Sequence, residues 1–512
     1  MSLAAFVLLS FSPLAAADLD QHIEAKAKAD NVPLSPAADD AEFLRRISLD
    51  LAGTIPTADA ARKFLADTDP KKREKLIDRL LASPDYATRM TDLFNVMLME
   101  RLGEHAEWTK WLKASFETNK HWDRMARDIL RADFKDTANL GASFFLAKRL
   151  ENFGQNPVDY SGLTRDVGRL FLGKNFQCCE CHDHLFVEDY KQRDFQGLHT
   201  FFRSTYLVNA AKLQVGENPL AGKTNFASVF TKVMMATGPA LPGMMMIEVP
   251  VFAKGMEFAE PPDKKSGSPG VPKFSTLAKI SEQLPRKENK DFARNMVNRL
   301  WHGLMGRGLV HPLDMHHSRN PGSHPELLDL LAADFAAHDF DIKWLVREIV
   351  KSRTYQRSNR VPEGKDPPEP QYFATALEKR LTADQLLQST LVATESDQKL
   401  AEKLRPKFLK AYANQPREPE DEITPSLKAA LFILHDESVL ALLKPAAGNL
   451  AERLTKLPDD QIAEELYLAI LTRPPSAEER ATVLKLVKKG KADAVGKLMW
   501  SLMASMEFQV NH

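Results

Sequence analysis

The sequence predicts a mainly α-helical chain, a multi-helical two-domain protein with a small irregular β excursion in its first half. Three observations carry this. Apolar residues recur at three- and four-residue spacing, as in Phe43, Leu44, Ile47 and Leu51, or Phe292, Met296, Val297, Leu300, Trp301 and Leu304, which places them on one face of a helix. Short β-prone pieces at 205–208, 228–231 and 247–251 are parted by Gly, Pro and Asn, the texture of short strands and turns. A run dense in Pro, Gly, Ser and Lys at 260–273 separates an N-terminal domain, 18–259, from a C-terminal domain, 274–512, because such composition favours a linker or long loop over packed structure.

In chain order, residues 3–17 form a short apolar segment ending Leu14-Ala15-Ala16-Ala17 before Asp18-Leu19-Asp20. It predicts a secretory signal over 1–17, too short to span a bilayer, and a periplasmic or otherwise extracytoplasmic mature protein. Residues 18–40 read as a polar lead-in. The first helix covers 41–51, with Arg45, Arg46 and Asp50 able to face water, and Gly53 and Pro56 stop it. Thr57 caps the next helix, Asp69-Pro70 opens a third, and Ser83-Pro84 launches a fourth through Met99. Trp108, Trp111 and Trp122 belong to two further helices broken near Asn119, where large aromatics serve interhelix packing. Helices at 142–150, 163–172 and 194–202 follow, the middle one ended by Gly173. After the β excursion, whose Met234, Met235, Met244, Met245, Met246 and Met256 suit gap-filling, helices are expected at 291–304, 326–335, 344–352, 383–392 and 401–412. An acidic loop at 415–425 precedes the last group, around 439–443 and at 461–471, 477–488 and 492–506.

The totals bound the function. The 512 residues are 44% hydrophobic and 27% charged, ordinary globular composition. Lys plus Arg and Asp plus Glu both number 69, so no net field points to nucleic acid. No stretch of the mature chain approaches the length of a transmembrane helix.

With only three cysteines in the chain, Cys178-Cys179-Glu180-Cys181-His182-Asp183-His184 is the sharpest chemical signal. Cys178-x-x-Cys181-His182 has the spacing of a c-type haem attachment site, two thiols for the vinyl groups and an adjacent imidazole for the iron. Cys179 is left over as a thiol. The same atoms suit two other arrangements. One is a zinc or non-haem iron site using His182, with His184 as the alternative ligand; the other is a Cys178–Cys181 disulfide. A second polar constellation gathers Arg294, Asn298, Arg307, Asp314, His316, His317 and His324 on and after the 291–304 helix. It suits a loop that binds a carboxylate, sulfate, carbohydrate or other small organic substrate, one that completes a metal site with Asp314 and the paired histidines, or a structural loop whose side chains tie down backbone carbonyls. No nucleophile elbow, phosphate-cradling loop or HExxH signature occurs.

The chain also resembles a known family. Glu42-Phe43-Leu44-Arg45-Arg46-Ile47-Ser48-Leu49-Asp50-Leu51 with Gly53 and Pro56, Leu80-Leu81-Ala82-Ser83-Pro84, and Gln177-Cys178 with Cys181-His182-Asp183-His184 are similar to the first domain of the planctomycete cytochrome-c-associated two-domain family of exported proteins. Phe292-Ala293-Arg294, Val297-Asn298-Arg299-Leu300-Trp301, Gly306-Arg307-Gly308-Leu309-Val310, Ser323-His324-Pro325-Glu326 and Ser352-Arg353-Thr354-Tyr355 resemble its second domain. Cys179 and Leu185 stand where the family pattern has Ala and Pro. The resemblance implies export and an association with redox chemistry, many relatives being fused to a separate cytochrome c domain. The expected function is therefore an exported haem- or metal-associated redox protein that carries haem c and works with an extracytoplasmic redox partner or cytochrome c. A non-enzymatic structural or interaction protein and a metal-dependent hydrolase are the alternatives.

Overall fold

The computed structural model describes residues 16–152, 154–361, 363–418 and 427–512. The expected signal segment lies outside them apart from its last two residues, and the expected acidic loop lies partly outside. The first half carries α1 (Ala16–Ala29), α2 (Asp40–Ala52), α3 (Ala58–Ala66), α4 (Lys72–Leu81), α5 (Pro84–Met99), α6 (Ala106–Glu117), α7 (Trp122–Arg131), α8 (Phe144–Arg149), α9 (Tyr160–Leu172) and α10 (Gln192–Thr200). Three hairpins follow: β1 (Thr205–Asn209) with β2 (Gln214–Glu217), β3 (Thr224–Ala227) with β4 (Met234–Thr237), and β5 (Phe258–Glu260) with β6 (Val271–Pro272). The rest is helical: α11 (Thr276–Gln283), α12 (Lys290–Met305), α13 (Pro325–Ala337), α14 (Ile342–Lys351), α15 (Ala383–Ala393), α16 (Leu400–Tyr412), α17 (Leu427–His435), α18 (Glu437–Leu442), α19 (Leu450–Lys456), α20 (Ile462–Leu471), α21 (Ala477–Val487), α22 (Lys491–Met503) and α23 (Met506–Gln509). A two-residue pairing of β7 (Lys379–Arg380) with β8 (Val510–Asn511) closes the chain. The protein is thus mostly helical and two-domain, with a small irregular β region in the first half. Among the described residues no helix is long and apolar enough to cross a membrane.

Local signals place many of these ends. Asp39 accepts from the amides of Ala41 and Glu42 at the start of α2, and Gly53, at φ +74°, ends it. Thr57 and Ser83 cap α3 and α5 as expected. Trp108, Trp111 and Trp122 are buried, Trp122 stacking between Phe171 and Phe292. That stack joins α7, α9 and α12, and one continuous apolar core runs from Leu19 to Phe508 across both domains.

Four expectations are corrected. Residues 18–40 are not merely a polar lead-in: α1 docks there, burying Leu19 and Ile23, while Asp20 accepts from the amides of Arg353 and Thr354 at 2.9 and 2.8 Å. Arg45, Arg46 and Asp50 do not face water. Arg45 donates to the carbonyls of Phe508 at 2.8 Å and Glu507 at 3.0 Å, Arg46 to those of Tyr355 and Arg357, and Asp50 receives Lys379, Tyr355 and Asn511. The charges are buried because α2 is enclosed by distant segments whose loose carbonyls need donors. The pieces at 228–231 and 247–251 are not strands; pairing falls instead at 224–227 and 234–237. Finally, Met234, Met235, Met245 and Met256 are exposed rather than filling gaps. Residues 260–273 are drawn into the β5–β6 hairpin.

Candidate functional site

The cysteine turn begins where α9 stops. Gly173 takes φ +67°, and its amide and that of Lys174 close back onto Arg169 and Gly168, the left-handed cap that only glycine adopts cheaply. A single turn of 3-10 helix, Gln177–Glu180, follows. Cys178 lies within this turn and Cys181 directly follows it. Both are exposed free thiols, whereas Cys179 points the other way and is 0% exposed. Burial pushes the Cys179 thiol up to about 12, which keeps it neutral and unreactive among its apolar neighbours.

The two histidines of the turn are held differently. His182 Nδ1 lies 2.6 Å from the carbonyl oxygen of Asp183, a contact that requires the proton on Nδ1 and leaves the Nε2 lone pair free. His184 has the reverse tautomer: its Nδ1 accepts from the amides of Phe186 and Val187, both at 3.1 Å. Its proton therefore sits on Nε2, the wrong arrangement for a metal ligand there. Asp183 accepts from the amide of Gln192 at 2.8 Å, anchoring the turn to α10, and Val229 donates to the carbonyl of Cys181 at 3.0 Å. On the surface of this region Leu185, Phe186 and Phe230 are 64%, 68% and 63% exposed, with Phe230 against the His182 ring at 4.6 Å and Phe186 beside His184. Among the described residues, no three His, Cys, Asp or Glu side chains converge as a metal site.

The second constellation lies directly behind this turn. The amide of His316 donates to the carbonyl of Gly173 at 3.0 Å and that of Asn175 to Asp314 at 2.9 Å. Tyr190 donates its hydroxyl to the His316 carbonyl at 3.2 Å, Ser318 binds Asp189, and Arg319 donates to the carbonyl of Phe186 at 3.0 Å. The loop is itself strapped to α12 by Asn298, whose side chain exchanges two hydrogen bonds with Val310, at 2.8 and 2.9 Å, and meets His316 Nε2 at 3.3 Å. His316 is 7% exposed; burial, with Arg294 and Arg299 nearby, holds it down to about 3. Asp314 accepts from Arg169 at 3.0 Å and from Arg299, and Arg169 also grips Glu100 with two nitrogens at 2.9 and 2.8 Å.

The remaining predicted residues are dispersed. Arg294 pairs with Asp329 at 3.1 Å, and Arg307 is half-buried. His317 lies edge-on to the Tyr190 ring at 5.3 Å. His324 is buried beside Phe373, held down to about 4 chiefly by burial, with Ser323 on its Nδ1. Asn298, Asp314 and His316 are therefore brought together behind the cysteine turn, with Arg294 close enough to act on His316 and with His317 against Tyr190, and Arg307 and His324 are not. Sequence reasoning missed Asp189 and Phe230, which no motif marks and which only the meeting of distant segments brings in; Tyr190 belongs to the family pattern, but its bond to the His316 carbonyl shows only in the fold.

Residues 18–206 match the family model PSCyt2, a protein of unknown function (DUF1549), and residues 277–428 match PSD1, a protein of unknown function (DUF1553). The chain belongs to the PSCyt2–PSD1 family. No curated protein and no solved structure matches it. The cysteine turn lies in the PSCyt2 segment and the loop behind it in the PSD1 segment, so this site is where the two parts of the family architecture meet.

Proposed function

We propose that the chain is an extracytoplasmic redox protein whose cysteine turn holds a c-type haem, with Cys178 and Cys181 as the thioether positions and His182 Nε2 as the axial nitrogen. The observation that supports this most is the tautomer of His182. A hydrogen bond from Nδ1 to a backbone carbonyl orients an imidazole and raises the basicity of its other nitrogen. The two exposed thiols, three residues apart, fit the same reading, as does the buried Cys179, which stays clear of the reaction. Cys178 and Cys181 would hold the group through thioethers, their thiols adding to its vinyl groups without need of an oxidant, and His182 would offer its free nitrogen. When bound, the group supplies one-electron transfer. The protein's own part is to hold the turn rigid from behind through Gly173, Tyr190 and Asp314, and to offer Leu185, Phe186 and Phe230 as apolar cover.

The same exposed apolar residues favour a second reading, an interaction surface for a separate cytochrome c or another extracytoplasmic redox partner. A carbohydrate or small organic molecule as substrate belongs to the first reading. The test is production with its own export signal in a host competent for haem attachment, followed by an absorption spectrum and intact mass. Covalent haem mass in the wild type, loss of one thioether in Cys181→Ala and an unchanged product in Cys179→Ala are expected. A colourless, fully exported protein of unmodified mass rejects haem attachment, and saturable binding of a cytochrome c that Phe230→Ser abolishes would then establish the second reading.

A further inference from the structure

Between α5, α12 and the start of α15 lies a cavity of about 90 Å³. Leu93, Val96 and Leu313 give it apolar walls, and Arg89, Asp92 and Asp384 bring charge to it. Most charges around it are already used. Glu100 is taken by Arg169, Asp314 bridges Arg169 and Arg299, and Asp384 faces Arg405 at 2.8 Å and Arg101 at 3.6 Å.

Two groups are not used. Arg89 is only 8% exposed, yet its guanidinium makes no hydrogen bond or ion pair with any described residue, and its Nε is sealed off without an acceptor. The negative charges acting on it are Asp50, Asp92 and Asp384, none close enough to pair. Asp92, three residues along the same helix and so on the same face, also lacks a hydrogen bond or ion pair among the described residues. Burial, and Asp384 beside it, hold its carboxyl up to about 6. A buried, unpaired guanidinium is a costly arrangement. Facing a cavity, its rigid fork of donors is the group that recognises a carboxylate with two parallel hydrogen bonds.

We propose that this cavity binds a small carboxylate bearing a hydrogen-bond donor on a neighbouring carbon, its charged end on Arg89 and its donor on Asp92. The apolar walls accommodate a short alkyl group, and the surrounding carboxylates disfavour a dianion such as sulfate. A hydroxyl and an ammonium group both satisfy Asp92, so hydroxy acids and amino acids share the required chemistry. The site does not rest on haem attachment, and its test is run on the haem-free full-length chain.

Calorimetric titration with L-lactate, L-alanine and sulfate compares the wild type with Arg89→Met and Asp92→Asn. Saturable binding of lactate or alanine and none of sulfate is expected, weakened about tenfold or more in Arg89→Met. Preference for alanine, lost in Asp92→Asn, assigns the donor as ammonium; preference for lactate assigns it as hydroxyl. Arg89→Met, relieved of an unpaired buried charge, melts at the wild-type temperature or above it. Should that variant fail to fold, the wild-type melting temperature decides, rising with lactate or alanine and not with sulfate. No saturable binding of either organic acid, or binding that Arg89→Met leaves unchanged, overturns the proposal.

Discussion

Cys179 shows how a single residue's chemistry is set by where it points. Its neighbours Cys178 and Cys181 are exposed, and it alone is turned inward, onto the apolar core. His316 makes the same point with charge. Its Nε2 accepts from Asn298 and its ring fills the space over Gly173, where a Cβ would come within 2.7 Å of it. Protonation would set an N–H against the Asn298 amide in a buried site. The folded state therefore resists a proton that the unfolded chain accepts at about pH 6.5. The stability this contributes is fully present above that pH, falls as the pH drops toward the folded value of about 3, and is then exhausted. Its full size is of the order of several kcal/mol. His324 and His512, held down to about 4 chiefly by burial, run the same way. Asp92, raised to about 6 chiefly by burial, runs the other way and costs stability as the pH climbs past the unfolded carboxyl value. Urea midpoints at pH 7.5 and 4.5 are expected to drop less in His316→Gln than in the wild type, since glutamine keeps an acceptor and cannot titrate. Equal drops would remove His316 from the account.

Among the elements, α12 decides the most. Its apolar face was plain from periodicity, but its polar residues act across the chain. Asn295 donates to the carbonyl of Leu170 at 2.7 Å, Arg299 to that of Arg169 at 2.8 Å, and Asn298 pairs with Val310 as one strand residue pairs with another. Asn298→Leu conserves volume and leaves the Val310 amide and carbonyl buried without partners, a loss of about 2–4 kcal/mol. Equilibrium urea unfolding measures it, and a loss under about 0.5 kcal/mol, the usual range of a surface substitution, would show that Asn298 does not hold the loop. The cysteine turn shows the limit of reading an element alone. Its spacing was legible, yet the proton on His182 Nδ1 and the reversed tautomer of His184 depend on carbonyls and amides that only the folded turn presents.

For the whole molecule, the two domains share one core rather than meeting at a thin interface. Trp122, Phe171 and Phe292 stack across the boundary, Arg62 of α3 pairs with Glu465 of α20, and Arg45 of α2 holds the carbonyls around Phe508. An N-terminal fragment, 18–259, would leave buried Arg45 and Arg46 without the carbonyls they serve and would open α4, α7 and α9 to water. Expressed alone it is expected to aggregate or to lack a cooperative melt by circular dichroism. A monodisperse fragment with a sharp melting transition would show instead that the domains fold independently.

The sequence by itself determined the helical class, the bounds of α2, α5 and α12, the end of α9 at Gly173, and the local order of thiols and imidazole in the turn, because periodicity, caps and short motifs are properties of neighbouring residues. Only the tertiary structure decided that α1 is a docked helix, that Arg45, Arg46 and Asp50 are buried, that the histidine loop backs the cysteine turn, and that Arg89, unpaired among the described residues, lines a cavity. Each of these depends on which distant backbone groups and charges end up within a few ångströms, and a polar side chain reads the same in the sequence whether water or a buried carbonyl awaits it.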